Sequence, residues 1–382
     1  MRIEQCRWTA VKGWEPGPPG RLAEPPQLVL VFGAGDLLRD SEPCREARRA
    51  YPDAYWLGCS TAGDIFGTEV SDDSLVVTGI HFERTRIQAC RTPIAGPADS
   101  FAAGERLGGA LAKEDLVHVF LLSDGLHVNG SELVEGIASR LPPNVTVTGG
   151  LSGDGPRFKE TLIIAGGANG EAAPFTAAVV GLYGSGLSVG FGSLGGWDAF
   201  GPERLITRSA ANVLYELDGR SALELYKTYL GPYAKDLPAS GLLFPLSIRT
   251  EMDQTPIVRT ILAVDEEEKS MTFAGDLPMG TYARFMKANF DRLIDGAMGA
   301  ARTSYEAIGS TACDLAILVS CVGRKLALGQ RIEEEVEGVR EVLGEGPVLA
   351  GFYSYGEISP FVPSARCELH NQTMTITTLR EL

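Results

Sequence analysis

A chain of 382 residues is longer than one ordinary hydrophobic core organises, so two domains or two large lobes are expected. Hydrophobic residues make up 44% and charged residues 22%, which excludes a disordered chain. The net charge of −15 opposes a role on nucleic acid or on anionic lipid, since both call for a basic face.

Residues 1–26 are rich in Pro and Gly and read as an edge strand followed by a loose lead-in. Met1 to Trp14 carries charges throughout and lacks the apolar core of a signal peptide. Gln27 to Phe32 reads as a buried strand, with a helix over roughly Asp40 to Ala50 and a strand beginning at Tyr55. Ser74 to Phe82 and Arg86 to Pro93 alternate as strands do, and Ala98 to Ala112 reads as a helix. Strand Leu116 to Leu122, helix Gly130 to Arg140, strand Val145 to Thr148 and strand Thr161 to Ala165 follow. Ala172 to Trp197 is long and uncharged, but its glycines favour two strands joined by a turn over a spanning helix. Beyond it a short strand leads to a helix ending near Tyr229, with Gly231 as its C-cap. Strands at Leu246 to Arg249, Val258 to Val264 and Met271 to Phe273 precede a helix over Thr281 to Tyr305. The chain closes with strand Leu315 to Cys321, helix Arg324 to Leu343, strand Val348 to Gly351 and strand Glu368 to Leu379.

Three stretches share one design, an apolar run that enters a turn of glycine, hydroxyl and acid. They are Gly58-Cys59-Ser60-Thr61-Ala62-Gly63-Asp64, Gly149-Gly150-Leu151-Ser152-Gly153-Asp154-Gly155 and Gly351-Phe352-Tyr353-Ser354-Tyr355-Gly356-Glu357. Each closes a unit of strand, helix, strand, turn and strand. The crossover helix predicts a parallel pair, and the strand after the turn an antiparallel addition. The fold class is therefore α/β, with α+β as the variant: two related lobes of mixed sheets flanked by helices.

Glycine turns aim backbone amides and small hydroxyls at one point, which suits a ligand but equally suits a tight strand connection. Ser123-Asp124-Gly125 with His127, Asn129 and Ser131 clusters polar groups ahead of a helix; Asn129 and Ser131 read as caps, and Asp124 and His127 remain to face a ligand. Cys59 stands where a nucleophile could, without a local base. Gly186-Leu187-Ser188-Val189-Gly190 matches a nucleophile elbow, yet strand-like sequence follows it. The seven cysteines include no C-x-x-C pair, as in a cytosolic protein with reduced thiols.

Together these words resemble the FIST family. Gly58 to Ile65, Ser123 to Gly125 with Asn129 to Leu133, and Gly149 to Gly155 are similar to FIST N-terminal motifs. Tyr215 to Gly219, Gly351 to Ile358 and Leu369 to Thr373 are similar to FIST C-terminal motifs. The resemblance implies an N-terminal domain over 27–220, a C-terminal domain over 221–382, and a cytoplasmic signal-input protein rather than an enzyme. It implies a small ligand such as an amino acid, and a separate signalling partner such as a histidine kinase or a cyclic-dinucleotide enzyme. Haem sensing of nitric oxide is the family's alternative, with His127 or His370 as axial ligand. On this reading the pocket lies between the lobes at the turns. Cys59, Ser60, Thr61, Asp64, Asp124, His127, Ser152, Asp154, Tyr353, Ser354 and Glu357 line it, and Arg157 or Arg208 clamps a ligand carboxylate.

Overall fold

The computed structural model describes residues 1–167, 170–249, 256–361 and 366–382. Its architecture is mixed α/β, and each of the three repeated units does contain the expected parallel pair. In the first, β1 (Leu28–Gly33) leads through α1 (Gly35–Asp40) and α2 (Glu42–Ala50) to β2 (Tyr55–Ser60), which lies parallel to β1. Ser41 separates the two helices and caps the second, its Oγ accepting from the Cys44 N–H. The turn then delivers β3 (Asp64–Phe66), and β4 (Ser74–His81) lies antiparallel to β1. In the second unit α3 (Ser100–Ala110) precedes β5 (Leu116–Ser123), α4 (Gly130–Ala138) and β6 (Thr146–Leu151), with β5 and β6 parallel. After its turn come β7 (Ile163–Gly166) and β8 (Thr176–Tyr183).

Strand β9 (Leu187–Leu194) follows β8 across a turn at Gly184, so the uncharged stretch is the expected pair of strands. No helix among the described residues is long and apolar enough to cross a membrane.

A separate sheet interrupts the third unit. It is built from β10 (Asp198–Ala210), β11 (Val213–Leu217), β12 (Leu246–Arg249), β13 (Ile257–Arg259), β14 (Ile261–Asp265), β15 (Ser270–Phe273) and β16 (Tyr282–Lys287). Its helix, α5 (Ala222–Leu230), ends at Gly231 with φ 55, as a C-cap requires. The third unit resumes with α6 (Phe290–Ala307), β17 (Leu315–Cys321), α7 (Val322–Leu328), α8 (Ile332–Leu343) and β18 (Val348–Ser354), where β17 and β18 are parallel. Strands β19 (Gly356–Pro360), β20 (Cys367–His370) and β21 (Met374–Glu381) end the chain.

Several boundaries differ from the sequence expectation. The helix expected from Thr281 begins only at Phe290, capped by Asn289, because Tyr282 to Phe285 alternate exposed and buried along β16. Gly329 at φ 55 divides the helix expected over Arg324 to Leu343, and Gln372 at φ 65 divides the last strand. Residues 2–9 form a strand antiparallel to β4, with the short strand Gly13–Glu15 outside it, so they are internal to the sheet rather than its edge.

The strand after each turn does add antiparallel, but to the sheet of another unit. β3 pairs with β18, β7 with β2, and β19 with β6. First gives to third, third to second, and second to first, so three sheets are closed into a ring by exchange. Their inner faces meet in one core, where Leu30 and Phe32 meet Phe120, Leu122, Val319 and Phe352, and the rings of Phe32 and Phe352 stack at 4.7 Å. Helices cover the outer faces. The first glycine of each motif is fixed by close approach within the parallel pair. A Cβ at Gly58, Gly149 or Gly351 would stand 1.9, 1.8 or 2.0 Å from the carbonyl oxygen of Val31, Leu121 or Leu318. No side chain fits there.

Candidate functional site

The three turns meet where the parallel pairs end and are tied to one another through the backbone. The Ala62 N–H donates to the Tyr353 carbonyl and the Tyr353 N–H to the Gly63 carbonyl, both at 2.8 Å. The Gly153 N–H donates to Ser60 at 2.9 Å, and the Tyr355 N–H to Leu151 at 3.1 Å. First, second and third turns are thus linked in a closed circuit.

Two turns carry the same internal device. The Thr61 hydroxyl donates to Asp64 at 2.6 Å, and the Ser354 hydroxyl donates to Glu357 at 2.7 Å, in each case three residues on. Ser74 adds a donor to Asp64 at 2.7 Å, while the N–H and hydroxyl of Thr373 supply Glu357 at 3.1 and 3.0 Å. Burial raises Asp64 to about 7, against the pull of Thr61, Ser74 and the charge of Lys325. Burial likewise raises Glu357 to about 8, against Ser354 and Thr373. The second turn has Gly155 at the corresponding position, and its Ser152 hydroxyl donates to the Ser123 carbonyl at 3.0 Å. Asp154 accepts instead from the N–H groups of Phe158, Lys159 and Glu160 at 2.9 to 3.1 Å, and from the Tyr355 hydroxyl.

The structure therefore brings Cys59, Ser60, Thr61, Asp64, Ser152, Asp154, Tyr353, Ser354 and Glu357 together, buried and hydrogen-bonded within the chain. Burial, with the Asp64 carboxyl beside it, pushes the Cys59 thiol well above its ordinary value, the reverse of what a thiolate nucleophile needs. Asp124 is also buried, accepting from the N–H groups of Leu126 and His127 at 2.8 Å and of Phe175 at 2.9 Å. The His127 ring packs tilted against Phe175, centroids 4.0 Å apart, with Nδ1 3.2 Å from Asp124. Arg157 lies on the outer loop, and its Nε donates to the Asp154 carbonyl at 2.8 Å. Arg208 is on β10 of the inserted sheet, paired with Glu216 at 3.0 Å over the Tyr215 ring. Ser188 sits inside β9 rather than on an elbow between strand and helix.

A cleft of about 870 Å³ opens elsewhere, between α4, the entry to β6 and β20 on one side and β12 and β13 of the inserted sheet on the other. Its charged lining includes Arg249, Arg259 and Arg366 beside Glu135, Asp276 and Glu368. Arg249 is committed to Glu203, 2.7 Å from Nε. Arg259 is only 6% exposed and donates to the Asp276 and Leu369 carbonyls at 3.3 and 3.0 Å. Burial lowers it to about 10, with Glu368 and Asp276 acting in the opposite sense, so it keeps its charge at neutral pH. None of the candidates read from the sequence lines this cleft. Its residues come from distant parts of the chain and share no local motif. The one available hint was Ser131: Asn129 caps α4 by itself, accepting from the Ser131 N–H, and leaves the Ser131 side chain on the cleft.

Residues 27–220 match the FIST N domain, and residues 222–360 match the FIST C domain. The chain belongs to the FIST family. FIST domains are in general sensory, signal-transduction domains that bind small ligands. The cleft takes lining from both matched segments, Ser131 and Glu135 from the FIST N segment and Arg259 and Asp276 from the FIST C segment. No curated protein matches this FIST chain. Among solved structures, that of cyanuric acid hydrolase from A. caulinodans aligns over 100% of this chain and 98% of its own, at 7% identity and a TM-score of 0.37.

The haem alternative gains no support from the site. His370 is buried, its Nε2 2.8 Å from the Ser359 carbonyl, and burial lowers it to about 4. Neither His370 nor His127 lines the cleft.

Proposed function

We propose that this FIST protein is a cytosolic sensor that binds a small zwitterionic metabolite, such as an amino acid, in the cleft between α4 and the inserted sheet. The observation that carries this reading is the cleft itself. It is large enough for such a ligand, takes walls from both FIST segments, and sets arginines beside carboxylates. A ligand gripping both walls binds one relative placement of the inserted sheet and the three-sheet ring more tightly than another, which is how occupancy becomes a signal. A separate signalling protein, such as a histidine kinase or a cyclic-dinucleotide enzyme, reads that placement. The buried turns serve as the fixed hub against which the cleft wall moves.

The test is a thermal-shift and calorimetric screen of the common amino acids against the full chain and an Ala138→Trp variant. Ala138 lines the cleft, so the indole fills it. Binding that disappears in the variant supports the reading. Binding that survives unchanged places the ligand elsewhere and defeats it.

A further inference from the structure

The cleft holds a cation that the fold has buried without a carboxylate contact among the described residues. Arg259 ends β13, and among the described residues its side-chain hydrogen-bond partners are the two backbone carbonyls of Asp276 and Leu369. A guanidinium has five N–H donors, and two carbonyls leave a hydrogen-bonding edge for something else. Burying a full charge without a counter-ion is costly, so a site that does so is built for an anion that arrives later. The nearby acids do not fill that role. The Asp276 carboxylate accepts from Asn129 Nδ2 at 3.2 Å, and Glu368 is exposed and acts on Arg259 only through space.

The guanidinium is also held in place. A Cβ at residue 275 would stand 2.7 Å from its Nε and 2.8 Å from its Cζ, so Gly275 lets it lie flat against the chain. On the opposite wall, Ser131 in the first turn of α4 has a buried hydroxyl without a hydrogen-bond partner among the described residues. Ser131 and Arg259 are connected through three hydrogen bonds. The Ser131 N–H donates to Asn129 Oδ1 at 3.1 Å, Asn129 Nδ2 donates to Asp276, and Arg259 Nε donates to the Asp276 carbonyl. The α4 N-terminus adds its positive dipole end to the same wall.

We infer that Arg259 and Ser131 form an anion subsite in this cleft, receiving the oxygens of a carboxylate or a phosphate. This deepens the cleft reading and rests on it. The guanidinium supplies charge and two parallel donors, and the serine hydroxyl donates to one oxygen from the other wall.

Calorimetry with succinate, inorganic phosphate and the neutral succinamide tests the subsite on the full chain, alongside Ser131→Ala, Arg259→Lys and Ala138→Trp. Succinate or phosphate binds the wild type, and the tighter of the two names the head group. Succinamide binds at least tenfold more weakly. Ser131→Ala weakens the anion by about tenfold, Arg259→Lys by more, because the ammonium lacks the fork, and Ala138→Trp abolishes binding. Among the described residues the Ser131 hydroxyl has no hydrogen bond to lose, so that variant stays informative even where Arg259→Lys misfolds. Succinamide binding as tightly as succinate, anion binding indifferent to Ser131→Ala, or no heat from either anion overturns the subsite. Those results leave the cleft standing if Ala138→Trp still blocks an amino acid; if nothing responds to that variant, the cleft reading falls as well.

Discussion

The hydroxyl of Tyr355, in the third turn, donates to the carboxylate of Asp154 in the second, across 201 residues of sequence. The same oxygen accepts from the Asp154 N–H at 3.2 Å, and the ring stacks on Phe158 at 4.5 Å and 8°. Asp154 in turn holds the N–H groups of residues 158 to 160, so one tyrosine fastens the loop that covers the junction.

Removing that hydroxyl loosens the loop first and the fold second. Tyr355→Phe is expected to cost about 1–3 kcal/mol, since Asp154 loses a donor but keeps its backbone partners. Trypsin should cut faster after Arg157 and Lys159 while far-ultraviolet dichroism stays the same. Unchanged cleavage would show that stacking on Phe158 alone secures the loop.

Gly58→Ala places a methyl group against the Val31 carbonyl and should destabilise by about 3 kcal/mol or more, because the parallel pair must separate. Gly149→Ala and Gly351→Ala meet the same obstacle. Gly109, in α3, has open space where a Cβ would be, and Gly109→Ala should instead stabilise by up to about 1 kcal/mol. Chemical denaturation of the four variants decides, and a tolerated Gly58→Ala would refute the close-approach argument.

Asp64 and Glu357 make stability depend on pH in a defined direction. Their folded values, about 7 and about 8, lie above the unfolded values of roughly 4. The folded state therefore holds these protons more tightly. Their contribution is fully present below about pH 4 and is lost as pH rises toward 8. His118 and His370, lowered to about 3 and about 4, act oppositely, losing stability as pH falls below about 6.5. Variant-minus-wild-type differences isolate the acids. Asp64→Asn and Glu357→Gln should gain on the wild type between pH 5 and pH 8. A difference that stays flat across that window would mean both acids remain ionised.

Arg324 and Glu335 form a fully buried ion pair, with Nη2 2.7 Å from the carboxylate. Ser320 and Tyr353 donate to the second oxygen at 3.1 and 2.7 Å, and Arg324 also donates to the Gly195 and Leu293 carbonyls at 2.6 Å. Glu335→Leu alone should cost about 3–5 kcal/mol by stranding the guanidinium. Arg324→Met together with Glu335→Leu should cost less than the sum of the two singles. Strict additivity in the double-mutant cycle would contradict the coupling.

Much of the fold was legible because buried parallel strands are unbroken apolar runs. Leu315 to Cys321, parallel to β18, stands as the sequence suggested. What the sequence could not carry was the destination of the strand after each turn. Alternation in Asp64-Ile65-Phe66 tells which face is buried, not which sheet supplies the partner. The turns were found for a sound reason, since their glycines and hydroxyls are closely constrained. The constraint is the meeting of three chain reversals, and the hydroxyls satisfy neighbouring carboxylates and carbonyls. Arg259 gave no local sign. Its setting is made by Gly275, Asp276 and Leu369, which only the tertiary fold assembles.

The exchange of strands around the ring also governs the order in which the protein can be completed. As the chain leaves the ribosome, β6 is made two hundred residues before its partner β19, so one edge of the second sheet stays open until nearly the whole chain has been synthesised. The first sheet closes early, once β7 has emerged, and in the third β3, joined only to the short strand Glu69–Ser71, waits for β18 on its other side. An arrested nascent chain that stops before residue 348 therefore leaves β3, β6, β9 and β17 without the partners that β18, β19 and β21 supply, and the last strands act as the clasp.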